Sequence, residues 1–278
     1  MPKCTLCNKN KKLIDAHIFP DFLYKYIYEN NHEVQLLSFD KSILVDDKNV
    51  NSKTIFSGEY DNNILCSSCD NEIIGSYETY GSQILKRIYE YFGLVELWPK
   101  KKIISRGSYY KVKARNAYYK ISEKLFFKNR CCFTEFTKID YRRFKLFILS
   151  ILFKAIVSKR EFSKNINLPH LVNDLRHIIY NGINLHELIY PIQILSYIHH
   201  KNIPTGGIYQ PILSIVPNCS YVSFIIPGLL IRIIIDEIID LKGRYSKLIL
   251  KENGSIKVIR ISENEIGRFF HDYKFFRI

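Results

Sequence analysis

Cys4-x-x-Cys7 and Cys66-x-x-Cys69 are the residues whose type and spacing most directly prescribe chemistry. Two residues between thiolates let both sulfurs reach one ion on a tight turn, and two such turns complete a tetrahedral four-cysteine zinc site. Fifty-eight residues separate the pairs, so the fold must bring them together. Cys131 and Cys132 are adjacent, which is poor geometry for a shared metal, and Cys219 stands alone. Between the two knuckles runs Asp15-Ala16-His17-Ile18-Phe19-Pro20. A neutral imidazole there can serve as a general base, although an isolated histidine is more often structural. Asp70 directly follows the fourth cysteine. Its carboxylate suits a hard cation, or equally a helix N-cap. Glu78 lies about two helical turns further along, on roughly the same face. Asp61, Asn62 and Asn63 are weaker candidates, and His199-His200 reads as a solvated turn with no acidic or cysteine partner nearby.

These side chains need elements to hold them. Residues 21–29 read as a short helix, and residues 33–39 and 42–45 as strands turning at Asp40-Lys41. Over 71–92, Ile73, Ile74, Tyr77, Tyr80, Ile84, Ile88 and Tyr91 recur at helical spacing. Trp98-Pro99 closes this part, giving a first domain over 1–95 and a second over 96–278. In the second, residues 108–114 and 117–121 read as strands turning at Arg115-Asn116. Asp140 is placed to cap a helix over 141–158 that is apolar on nearly every face, and such a helix is buried. Residues 169–180 read as a helix. Strand-like runs follow at 192–198, 212–216, 221–226 and 229–235, and Asn253-Gly254 suggests a hairpin between 247–250 and 255–261. The fold class is α+β, with a basic mixed region in the middle and a C-terminal, mainly antiparallel sheet.

Charge narrows the function classes. The chain carries 41 Lys and Arg against 27 Asp and Glu, a net charge of +14. Residues 100–164 alone hold 19 basic and four acidic side chains, so the excess is local. That pattern points to a polyanionic partner. Alternation along a strand puts Lys111, Lys113 and Arg115 on one face, able to follow a phosphate backbone. Arg142 and Arg143 lead into the apolar helix. No apolar stretch is long enough to span a membrane, and the first twelve residues lack the apolar core of a signal peptide. A cytoplasmic location is expected, where paired cysteines hold metal rather than form disulfides.

A knuckle, then Ala16-His17-Ile18-Phe19-Pro20, then Leu65-Cys66-x-x-Cys69-Asp70 opening a helix with Tyr77-Glu78, resembles the HNH or ββα-metal (His-Me finger) nucleases. It is most similar to a bacterial branch with Ser/Ala-His-Ile-Ile-Pro and Leu-Cys-x-x-Cys motifs, some of whose members are linked to anti-phage defence. The motifs cover roughly residues 4–80. The run Phe147-Ile148-Leu149-Ser150-Ile151-Leu152 is similar to that branch with less specificity. The resemblance implies a zinc-stabilised ββα-metal finger and metal-dependent hydrolysis of phosphodiester bonds, with DNA as the expected substrate. It makes His17 the base and Asp70 the ligand of a catalytic Mg²⁺ or Mn²⁺, with Glu78 as a further ligand or a hydrogen-bond partner of His17. The zinc stays structural. Family members often carry a ligand directly before the base, where this chain has Ala16. That departure leaves open a non-catalytic nucleic-acid-binding or defence-complex subunit, and a regulatory protein partner is a further expectation.

Overall fold

The computed structural model describes residues 1–25, 34–38, 51–55, 58–92, 103–106, 109–114, 117–124, 131–160, 163, 166–198, 208–216, 219–236, 248–261 and 266. Within 34–55 and 103–132, and at Gln210 and Val216, only the backbone is described.

Buried Ala16 and Ile18 alternate with half-buried His17, the signature of a strand with one face inward, and β1 runs Leu13–His17. Pro20 then opens the single turn α1 (Asp21–Tyr24). β2 (Val34–Ser38) pairs antiparallel with β3 (Asn51–Ile55). The partner expected for β2, residues 42–45, lies outside the described residues. β4 (Tyr60–Cys66) returns antiparallel to β1, with Tyr60 opposite His17 and Cys66 opposite Leu13. Their register slips between Ile14 and Ala16, so that residues 62–64 of β4 face Asp15 alone. Thr5 docks on this irregularity, its backbone N–H and its hydroxyl both donating to the Ile64 carbonyl at 2.9 and 2.7 Å.

The helix expected over 71–92 begins earlier, and more widely wound. Ser68–Ile74 is a π-helical lead, and the Gly75 N–H reaches back five residues to the Asp70 carbonyl. α2 (Gly75–Phe92) follows, burying Ile84, Ile88 and Tyr91 of the expected stripe together with Leu85 and Tyr89, while Tyr77 and Tyr80 are half-buried. β5 (Ile103–Arg106), β6 (Tyr109–Ala114), β7 (Ala117–Lys124) and β8 (Cys131–Phe136) form an antiparallel meander. Ala114 pairs with Ala117, as a two-residue turn requires, while Arg115 and Asn116 themselves lie outside the described residues. α3 (Tyr141–Val157) starts as expected, the Asp140 carboxylate accepting from the Arg143 N–H at 3.0 Å, and nearly all of its side chains are buried.

α4 (Val172–Asn181) follows the 3₁₀ turn Pro169–Leu171 and ends where Gly182 turns left-handed. The last strands are β9 (Ile192–Ser196), β10 (Tyr209–Val216), β11 (Cys219–Ile226), β12 (Leu229–Ile234) and β13 (Ile256–Arg260). The chain is α+β, as its pattern implies, but the middle and C-terminal strands are not separate. They form one nine-stranded sheet in the order β10-β11-β12-β9-β13-β8-β7-β6-β5. β13 joins the halves, lying antiparallel to β8 and parallel to β9.

The expected C-terminal hairpin is corrected on the same ground. The turn at Asn253-Gly254 forms, with the Gly254 N–H bonded to the Lys251 carbonyl, but residues 248–250 are not a strand. Gly254 has a φ of +74°, and its carbonyl accepts from the Ile139 N–H at 3.0 Å. A Cβ there would meet the Ile139 carbonyl oxygen at 2.3 Å, so this turn is spent on docking the start of α3.

The largest of the hydrophobic clusters among the described residues ties the N-terminal part, the helices and the sheet together. It joins Leu6, Ile18, Phe19 and Leu65 of the N-terminal part, the inner faces of α2 and α3, and Phe224, Ile231 and Val258 of the sheet. Phe19 meets Phe224 edge-on, 5.4 Å between ring centres. The boundary expected at 95/96 falls outside the described residues. Among those described, no helix is long and apolar enough to cross a membrane.

Candidate functional site

The four knuckle cysteines come together. Their sulfurs all lie within 4.8 Å of one another, and the Cys7 and Cys66 sulfurs are 3.9 Å apart. Tetrahedral zinc with Zn–S bonds near 2.3 Å places its sulfurs about 3.8 Å apart, so this cluster has the spacing of a metal site. Cys4, Cys66 and Cys69 are buried and Cys7 is half-buried. Local hydrogen bonds shape the cage. The Cys66 N–H donates to the Cys4 sulfur at 3.4 Å, Ser68 Oγ lies 3.4 Å from the Cys66 sulfur, and Lys11 donates to Ser68 at 3.0 Å.

Electrostatics make the same point. Burial opposes ionisation of Cys66, yet Ser68 and the neighbouring groups bring its thiol down to about 6. Burial pushes the Cys4 thiol up, and burial together with the charge on Cys4 pushes Cys69 up. Sulfurs this close cannot all ionise unless a cation shares them, and four thiolates around a dication resolve that conflict. The cluster can hold a metal ion such as zinc.

Asp70 also lines a cleft of about 440 Å³, together with His17, Pro20, Asp21, Phe22, Asn71, Gly75, Glu78, Thr79, Ser82 and Lys154. Three expected site residues, His17, Asp70 and Glu78, therefore share one cavity. His17 enters from the end of β1, Asp70 from the π-helical lead and Glu78 from the first turn of α2. The wide turn carries Asp70 into the same cleft as Glu78. The His17 ring sits between Tyr24 and Tyr60, 6.4 and 6.3 Å from their ring centres. Tyr24 is itself fixed, accepting from the Glu59 N–H at 2.9 Å and lying against Gly58, where a Cβ would come within 2.4 Å of its ring.

Burial pushes the Asp70 carboxyl above its ordinary value; the Lys154 ammonium opposes this, nearby Glu78 adds to it, and His17 opposes it. Glu78 accepts from Lys154 Nζ at 2.6 Å. Lys154 comes from the last turn of α3 and is 1% exposed. In the sequence it lies inside the run that reads as apolar on nearly every face, with nothing to mark it. Asp21, the third carboxylate of the cleft beside Asp70 and Glu78, stands at the start of α1, where an aspartate reads as an ordinary first-turn residue.

Other candidates fall elsewhere. Asp15 is exposed opposite the β4 irregularity and does not line the cleft, and Ala16 is wholly buried. Asp61 is 3% exposed and its oxygens accept from Ser158 Oγ, the Lys159 N–H and the Asn63 N–H, which ties β4 to the end of α3. Asn62 and Asn63 are exposed. Of the expected phosphate-facing residues, Lys111 and Lys113 lie on β6 opposite Lys120 and Tyr118, with only their backbone described, and Arg115 lies outside the described residues. Arg142 donates to the Gly182 carbonyl at 3.5 Å. Arg143 donates to the Ser76 carbonyl at 3.2 Å and stacks on Tyr80. Exposed Arg160 bonds the Tyr60 carbonyl at 3.0 Å and lies over the Tyr60 ring, 5.5 Å from its centre. His199 and His200 lie outside the described residues. Comparison with protein-family models, curated proteins and solved structures gives no match to this chain.

Proposed function

We propose that this chain is a metal-dependent endonuclease of the HNH type that hydrolyses phosphodiester bonds in nucleic acid, with DNA the expected substrate and phage defence the expected setting. The observation that carries the reading is the convergence of His17, Asp70 and Glu78 on one cleft, with Asp70 next in sequence to Cys69 of the four-cysteine cluster. The antiparallel pairing of β1 with β4, which lie either side of α1, β2 and β3 in the chain and are followed by α2, supports this reading.

In this reading His17 accepts a proton from the attacking water, which approaches the phosphorus in line. The walls given by Tyr24 and Tyr60 keep its ring directed. Asp70 and Asp21, which both line the cleft, would hold a divalent ion such as Mg²⁺ or Mn²⁺, and that ion would supply positive charge for the phosphate. Exposed Arg160 and the basic strands β6 and β7 supply phosphate affinity, which is salt-sensitive. The zinc cluster anchors the turn from which Asp70 projects.

The test is plasmid cleavage in Mg²⁺ or Mn²⁺. His17→Ala is expected to lose activity by a factor on the order of 10²–10⁴, the usual contribution of a general base, with DNA binding retained. Normal cutting by that variant would sink the assignment. Ala16 favours one competing reading, because its buried methyl brings no ligand to the cleft. A non-catalytic nucleic-acid-binding subunit would bind without any need for Mg²⁺ and would cut under no condition.

A further inference from the structure

Lys154 is a charged side chain at 1% exposure in a helix otherwise suited to apolar packing. Burying an ammonium is costly, and a buried ion pair seldom adds net stability over a well-packed apolar pair. The pair with Glu78, at 2.6 Å, is thus a poor reason by itself to place a lysine here. Its position is more telling. Lys154 lines the same cleft as His17 and Asp70, and its charge is felt at Asp70. An ammonium has three donors. Glu78 takes one, and holding it fixes the direction of the other two.

The charges of the cleft fit one ligand class. Asp70 and Asp21 bring carboxylates to the cleft, while Lys154 neutralises Glu78 and offers N–H groups to an anion. A phosphodiester carries a single negative charge and two non-bridging oxygens. We propose that Lys154 is a further catalytic residue, its ammonium contacting a non-bridging oxygen of the bound phosphodiester, with Glu78 as its positioning partner. This rests on the cleft being the phosphodiester site. It also gives Glu78 a different task from metal binding, and it draws a residue of α3 into a site whose other members come from residues 17–82.

The test uses the full-length, zinc-loaded chain and two readouts. Dimethyl phosphate, an unreactive phosphodiester, is titrated in Ca²⁺ buffer and followed by ³¹P line broadening; plasmid cleavage is measured in Mg²⁺. The variants are Lys154→Arg, Lys154→Met, and Lys154→Met combined with Glu78→Gln. The double variant leaves no stranded carboxylate at position 78, which the single Lys154→Met variant does, and thermal melting checks that it keeps the fold. The expected result is that wild type binds the probe and Lys154→Arg retains part of that binding. The double variant, though folded, weakens binding about tenfold or more and lowers kcat on the order of 10²-fold. A purely structural ion pair predicts the opposite, restoration by the neutral pair. Wild-type binding in the folded double variant would overturn the proposal, and so would failure of wild type to bind the probe at all. Probe binding through Lys154 with no nucleic acid cut would uphold the phosphate contact and defeat the nuclease reading instead.

Discussion

Nine residues apart on α3, Lys145 and Lys154 are both buried, and half-turn geometry sends them to opposite sides of the helix. Lys154 has the carboxylate of Glu78. Lys145 has only neutral partners within hydrogen-bond reach, donating to Tyr141 Oη at 2.8 Å and to the His186 carbonyl at 3.0 Å. Burial brings its ammonium down to about 7, against the pull of Glu252 and Glu187. The folded chain therefore binds fewer protons here than the unfolded chain between pH 7 and about 10.5. Stability rises with pH across that window, by at most about 1.4 kcal/mol per unit, and the gain is lost as pH falls through 7. Lys145→Met should flatten this slope. Urea unfolding of both proteins at pH 7, 8 and 9 checks it, and parallel slopes would show that Lys145 does not titrate in this way. Tyr141, His186, Glu187, Lys251 and Glu252 face the same spot and remain in both proteins.

Between elements, the critical contact is α2 against α3. A Cβ on Gly81 would lie 2.4 Å from the Phe147 ring, so the two helices approach as closely as a bare glycine allows. Glu78 and Lys154 bridge the same pair of helices. Gly81→Ala would gain roughly 1 kcal/mol in helix propensity in isolation. Here the overlap should dominate, for a net loss of about 1–3 kcal/mol. Moving α2 from α3 also separates Glu78 from Lys154, so cleavage should fall together with stability. Denaturant unfolding and plasmid nicking test this jointly, and an Ala variant more stable than wild type would show that α3 yields easily.

At the scale of the molecule, the cysteine cluster fastens residues 4–7 to the turn that presents Asp70. Removing its ion should cost several kcal/mol, because metal affinity at such a site is folding free energy. Wild-type protein is expected to carry about one zinc per chain by elemental analysis. Cys66→Ser should lose that zinc, melt well below wild type and fail to cut, whereas Cys219→Ser should keep it. Full zinc retention by Cys66→Ser would place the metal elsewhere. The core runs from this cluster into the nine-stranded sheet, so damage at one end is expected to lower the stability of the whole.

What the sequence determined by itself was local. The C-x-x-C spacing named the four cysteines that gather, helical spacing set the buried face of α2, and an all-round apolar run with Asp140 before it marked α3. Helix geometry links Asp70 to Glu78 over a short stretch, and only the motif resemblance linked His17 to them; all three line one cleft. Tertiary structure decided the rest. Lys154 joins that cleft from 76 residues beyond Glu78, Asp61 is spent on the end of α3, and β13 fits between β8 and β9 rather than pairing with its neighbour in sequence. Periodicity and turn chemistry report which face of an element is apolar. Which elements share that apolar space, and hence which charge must find its partner across it, is settled only when the whole core packs.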